Sequence, residues 1–280
     1  MLLRFPVTKA HLPKVFNMIQ RILFAAIFAG VLGGVFISAA QHLKVTPLIL
    51  EAETYEEMDA GAATPEPASA PHDISIAGHD HTHDHAGITA NTDHDHAATT
   101  ASDHHHNENA WAPQDGFERV SYTLLANIVI GVGYALLLCA GIVLRGKDIT
   151  IRQGMMWGMG GFMAFSLFPA LGLPPELPGS VAAPLEARQI WWLSAAIGGA
   201  AGLALIAFGK GRVYKLIGLV AIITPHIYGA PHVEEALGGA LPAELAAEFA
   251  IASIITSAAF WLVLGGLSGA FLARRPLSQT

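Results

Sequence analysis

The sequence predicts an all-α integral membrane protein: about six transmembrane helices with a long, disordered, histidine-rich external loop. Three observations carry that prediction. Hydrophobic residues make up 52% of the 280 and charged residues only 13%, a combination that soluble domains of this size seldom have. The charge is segregated, with 15 of the 22 carboxylates between Glu51 and Glu118, which leaves long uncharged stretches elsewhere. Six of those stretches approach the ~20 apolar residues that cross about 30 Å of hydrocarbon.

Residues 1–21 form a cytoplasmic N-terminus. Within it, 1–17 differ in character from the rest of the chain, and Met18-Ile19-Gln20-Arg21 reads as a second start, which would make 1–17 an extension from an upstream one. The first span is placed at 22–43. It reads as a retained helix because its apolar run exceeds the core of an ordinary signal peptide, although Ser38 and Ala40 before Gln41 have the spacing of a cleavage site. Residues 44–119 are external, and 120–272 supply five more spans, near 120–144, 154–172, 190–208, 213–229 and 249–272. A short cytoplasmic tail, 273–280, completes the chain. Glycine pairs such as Gly33-Gly34, Gly160-Gly161, Gly198-Gly199 and Gly265-Gly266 recur in the spans, where small residues let helix backbones approach closely.

Basic residues set the orientation, because Lys and Arg near span ends stay on the cytoplasmic side. Twelve of the 15 fall in alternate connections: Arg4 to Arg21, Arg145 to Arg152, Lys210 to Lys215, and Arg274-Arg275. Lys44, Arg119 and Arg188 are the exceptions. Both termini are thus expected inside. With that topology 21 of the 22 carboxylates and 13 of the 14 histidines lie outside, so the external face attracts cations.

Several function classes drop out. The single cysteine, Cys139, permits neither an intrachain disulfide nor a thiolate cluster. A net charge of -7 argues against a nucleic-acid partner, and no phosphate-cradling glycine loop with its lysine occurs. No nucleophile and base stand at a workable spacing, so an enzyme is not expected.

From His72 to Glu108 the external loop holds ten histidines and seven acids but no Lys or Arg. It cannot build a core and is expected to be disordered. His79, His81, His83 and His85 alternate, then come His94 with His96 and the run His104, His105, His106. Alternate residues of an extended chain project to one side, so two or three imidazoles can share one late divalent ion. The segment 72–109 is the expected metal-capture element. A flexible loop imposes no geometry, so it does not name the metal.

A second, more ordered set of candidates sits beside span ends: His42, Glu51 and Glu53 after the first span, and His226, His232 and Glu234 after the fifth. Pro225 removes a backbone hydrogen bond there and can free a carbonyl for a cation. Leu173 to Gly179, rich in proline, leaves the third span on the same side. Together these predict a mixed imidazole and carboxylate site at an external mouth. Met155, Met159 and Met163 share a face of the third span, which reads as apolar packing. Asn127 is the most evident polar residue inside a span, as a bond across helices or a functional group.

Four segments carry a family resemblance: Pro47 to Glu56, Trp111 to Arg119, Leu173 to Gly179 with Ala187 to Trp192, and Pro225-His226 through Pro231. In this order they resemble the CbtA family of predicted cobalt transporter subunits, from about residue 18 to the end. The resemblance implies a bacterial membrane protein that moves cobalt for cobalamin synthesis beside a small, single-span, histidine-containing partner of the CbtB type. It also implies about five spans, which a cleaved first helix would reconcile with six.

The expected function is therefore a cobalt uptake permease in which the loop captures ions and the mouth orients them. Alternatives are a membrane-anchored periplasmic metal buffer or sensor without transport, and a nickel or zinc transporter. No tightly bound cofactor is expected, only a captured or transported divalent metal, Co, Ni or Zn. The expected partners are the lipid bilayer, the single-span CbtB-like protein and further copies of the chain.

Overall fold

The computed structural model describes residues 12–62, 113–114, 116–233 and 241–273. Most of these residues are helical: α1 (Leu12–Lys44), α2 (Thr46–Ala62), α3 (Phe117–Leu144), α4 (Ile151–Phe162), a π-helical turn (Met163–Leu167), α5 (Phe168–Ala170), α6 (Leu185–Phe208), α7 (Arg212–Tyr228) and α8 (Ala243–Ala273). No strand occurs among the described residues.

Among the described residues, four helices are long and apolar enough to cross a membrane: Phe16–Lys44, Phe117–Leu144, Leu185–Phe208 and Ala243–Ala273. The sequence predicts six. The expected third span, 154–172, is helical but broken by the π turn, which Pro169, lacking an N–H, follows at once. The expected fifth span, 213–229, corresponds to α7, of 17 residues with Pro225 inside it. Neither offers an unbroken α-helix as long as the four spans: the π turn ends α4 after 12 residues, and α7 has 17, the length of its apolar run. The start of the expected external loop also differs, since residues 46–62 are helix α2.

The helices associate as three close pairs, α1 with α3, α4 with α8, and α6 with α7. Glycine makes each pair possible. Gly154 and Gly158 face Gly265 and Gly269 so closely that a Cβ on any of the four would meet partner backbone. Without side chains in the way, dispersion and Cα–H···O contacts hold helices that lipid does not push together. Gly30 and Gly34 against Val132 and Ile128 do the same for α1 and α3.

Between pairs the packing uses larger groups. Helix α8 lies at the centre, against both α4 and α1. The main core joins Ala25, Ala26 and Ala29 of α1 with Leu138, Cys139 and Ile142 of α3, and with Phe260, Trp261 and Leu264 of α8. Met159 and Met163 pack against it, the apolar role expected for them. A smaller core lies at one end, where Val45 and Ala52 beside and in α2 meet Leu177, Leu245 and Phe249. Outward faces are apolar, as at Val129, Ile197 and Ile251, which suits lipid contact.

Candidate functional site

The end of the bundle that carries α2 is the irregular one. The 173–179 connection is pinned on one side by Leu177, buried among α2 and the start of α8. On the other side Gly172 abuts the Trp191 ring and Ala230, where a Cβ would not fit. Trp191 Nε1 donates to the carbonyl of Pro225 at 3.1 Å, tying α6 to the end of α7. Pro225 deprives the carbonyl of Ala221 of its usual donor. That oxygen is turned towards Gly198, where a Cβ would lie 2.7 Å away, so it packs on α6 backbone.

Two of the three basic exceptions have structural partners at this end. Arg119, at the start of α3, grips Glu53 of α2 with both guanidinium nitrogens, Nη1 to Oε2 at 3.3 Å and Nη2 to Oε1. Arg188, at the start of α6, donates Nη2 to Glu176 Oε2 at 2.8 Å. Each pair is about one-third exposed, so each contributes only on the order of 1 kcal/mol. Their effect is geometric: they fix α2 and the 173–179 connection over the bundle.

Two cavities open beneath them. The larger, about 620 Å³, runs between α5, α6 and α8, from Pro175, Glu176 and Arg188 down to Ser166, Ser253 and Ser257. The smaller, about 260 Å³, lies between α1, α3 and α8, with Gln41, Asn127 and Thr256 on its walls. Ser166, Ser253 and Ser257 line both and form the partition between them. Ser257 Oγ donates to Ser166 Oγ at 2.9 Å, and Trp261 Nε1 donates to the same oxygen at 3.1 Å.

Trp261 closes the floor. It is 2% exposed, stacks with Phe165 at 5.9 Å and tilts against Tyr134 at 4.7 Å. Beyond it the helices are sealed by the glycine crossing of α4 and α8. At the far end Trp157 stacks on Phe208 at 5.7 Å, with the Arg145 guanidinium 5.2 Å from the same ring. Both of these cavities lie in the α2 half of the bundle, with the glycine crossing of α4 and α8 beyond them.

Asn127 is fixed by its neighbours. Ser38 Oγ spends its proton on the Gly34 carbonyl at 2.8 Å, so it can only accept from Asn127 Nδ2, 3.0 Å away. The other Nδ2 hydrogen goes to Gln41 Oε1 at 2.7 Å. That network determines the orientation of both amides.

The residues expected to ligate metal have separate surroundings. His42 is exposed on the last turn of α1 and Glu51 is exposed on α2. Glu53 is engaged by Arg119. His226 is half-buried, edge-on to Trp191 with ring centroids 5.6 Å apart, and its Nε2 is buried without a hydrogen-bond partner among the described residues. His232 is exposed, with Nδ1 3.3 Å from the Ala230 carbonyl oxygen. No three His, Cys, Asp or Glu side chains gather into a metal site among the described residues. The capture segment 72–109, with His79, His81, His83, His85, His94, His96, His104, His105 and His106, and also Glu234, lies outside them.

Sequence reasoning picked out Asn127 but passed over the serine partition. The available signal was the cluster Ser253, Thr256 and Ser257, three hydroxyls within about one turn of an otherwise apolar span.

No curated protein and no solved structure matches the chain. The sequence model of one family, described as "Probable cobalt transporter subunit (CbtA)", matches residues 19–273, which take in both cavities and the helices that build them. The chain is thus a member of the CbtA family of probable cobalt transporter subunits.

Proposed function

We propose that this protein takes up cobalt across a bacterial inner membrane for cobalamin synthesis. In this reading the α2 end faces out, both termini face in, and the π-broken segment 151–170 and α7 complete six crossings. The 72–109 segment gathers divalent ions outside, above the larger cavity, whose rim carries the paired Glu176 and Arg188. An inside-negative potential favours entry by about 2.3 kcal/mol per charge per 100 mV. A small single-span protein of the CbtB type and further copies of the chain are the expected partners.

The observation that carries the reading is the pair of cavities in the α2 half of the bundle, with polar groups on their shared serine wall, in a member of this family. Polar lining within spanning helices is costly unless it serves a path. The test is radioactive cobalt uptake by cells with and without the gene, with nickel and zinc as competitors. Deleting 72–109 should weaken uptake at scarce cobalt and be rescued by more metal. His226→Ala, which removes the imidazole with the unpartnered Nε2, should lower uptake even at saturating metal. Equal uptake with and without the gene would leave a membrane-anchored metal buffer as the better reading.

A further inference from the structure

The wall of the smaller cavity carries several hydrogen-bond acceptors, and the hydrogen-bond directions identify three of them. Thr256 Oγ1 donates to the Ala252 carbonyl at 2.8 Å, so its oxygen is left to accept. Ser257 spends its proton on Ser166 and is likewise left with lone pairs. Asn127 has both N–H groups committed, to Ser38 and Gln41, so its Oδ1 is an acceptor. Three acceptor groups thus border one cavity of about 260 Å³, on a wall that also holds the Gln41 amide and the hydroxyls of Tyr134 and Ser253. No carboxylate, imidazole or thiolate lines it among the described residues.

That combination defines a ligand class. Acceptors without charge are poor direct ligands for a late divalent metal, which prefers imidazole or thiolate. Nor can they offset the cost of stripping its water in a low-dielectric bundle. They are well matched to the outward-pointing hydrogens of waters that a cation already holds. Six waters at about 30 Å³ each occupy roughly 180 Å³, which fits the cavity.

We propose that Asn127, Thr256 and Ser257 form a site for a hexahydrated divalent cation, held through its water shell above the Trp261 floor. The site rests on the reading of the chain as a divalent-cation transporter and deepens it. Selection among metals then belongs to ligands elsewhere, because a site that touches only water distinguishes ions of equal charge and similar radius weakly.

The probe is hexaamminecobalt(III), a substitution-inert complex whose six ammine ligands present outward N–H donors and cannot be exchanged for protein ligands. The full-length chain is used as wild type, Ser257→Ala and Ser257→Thr, in detergent for equilibrium dialysis and in vesicles for Co(II) influx. Wild type should bind the complex saturably, and the complex should block Co(II) influx. Ser257→Ala should weaken binding and block at least tenfold, while Ser257→Thr, which keeps a hydroxyl, should retain both. Thermal unfolding shows whether each variant is folded; were the alanine variant unfolded, the same comparison is made with Thr256→Val.

The two readings fail differently. Saturable binding that the alanine variant loses, with no Co(II) influx in wild type, would sustain the site and overturn transport. Influx that the complex does not block, equal in wild type and variant, would sustain transport and overturn the site. Displacement of the complex by ammonium as readily as by magnesium would overturn the assignment to a hydrated divalent ion.

Discussion

The indole N–H of Trp261 donates to the hydroxyl of Ser166 at 3.1 Å, joining α8 to the π turn at the serine wall that both cavities share. The bond links the floor to the serine partition. Trp261→Phe keeps an aromatic ring and removes the donor, and should cost about 1 kcal/mol of stability. Ser166→Ala should cost a similar amount, and the double variant little more. A double-mutant cycle with no coupling would show that the contact does not hold the floor.

The α4 and α8 crossing depends on absent side chains. Gly265→Val places a branched side chain against Gly154 and Gly158 backbone and should lower stability by about 1–3 kcal/mol. Gly133, which has nothing within 4 Å of a built Cβ, should accept alanine with little change. The measurement is detergent or heat unfolding of the purified protein, and equal responses at the two positions would contradict the crossing.

Glu53 has a partner already, so its expected use as a metal ligand competes with Arg119. Glu53→Gln should leave the cobalt concentration for half-maximal uptake unchanged while loosening α2. Exchanging the charges, Glu53→Arg with Arg119→Glu, should recover part of what either single change loses, on a scale of about 1 kcal/mol. A raised half-maximal concentration in Glu53→Gln would place this carboxylate on the metal.

For the segment 72–109, metal binding should fade as pH falls through the histidine range near 6.5, because a protonated imidazole has no lone pair to offer. Calorimetric titration of the corresponding peptide with cobalt at pH 7.5 and pH 5 makes the comparison. Undiminished binding at pH 5 would assign the metal to the carboxylates.

Reporter fusions check the proposed topology. Fusions after Gly146 and Gly211 should read cytoplasmic, and one near Gly87 periplasmic. A periplasmic reading at Gly211 is incompatible with six crossings and internal termini. A mature N-terminus at Gln41 would select five.

The sequence by itself determined that the chain is helical and made for a membrane, because long uncharged runs leave backbone groups no other way to be satisfied in lipid. It also determined that helices would touch through glycine: Gly154, Gly158, Gly265 and Gly269 do so. Family membership was legible from Pro47 to Glu56 and the later segments in their order. Only the tertiary structure decided which polar residues meet. Ser166 is 91 residues from Ser257 and 95 from Trp261, and Arg119 is 66 from Glu53. In a soluble protein the apolar stripe of each helix announces its buried face. Here the lipid-facing and protein-facing sides are both apolar, so sequence leaves the rotation and register of each helix open. Close contact between glycine faces settles them, and thereby brings three separate hydroxyls together above one tryptophan.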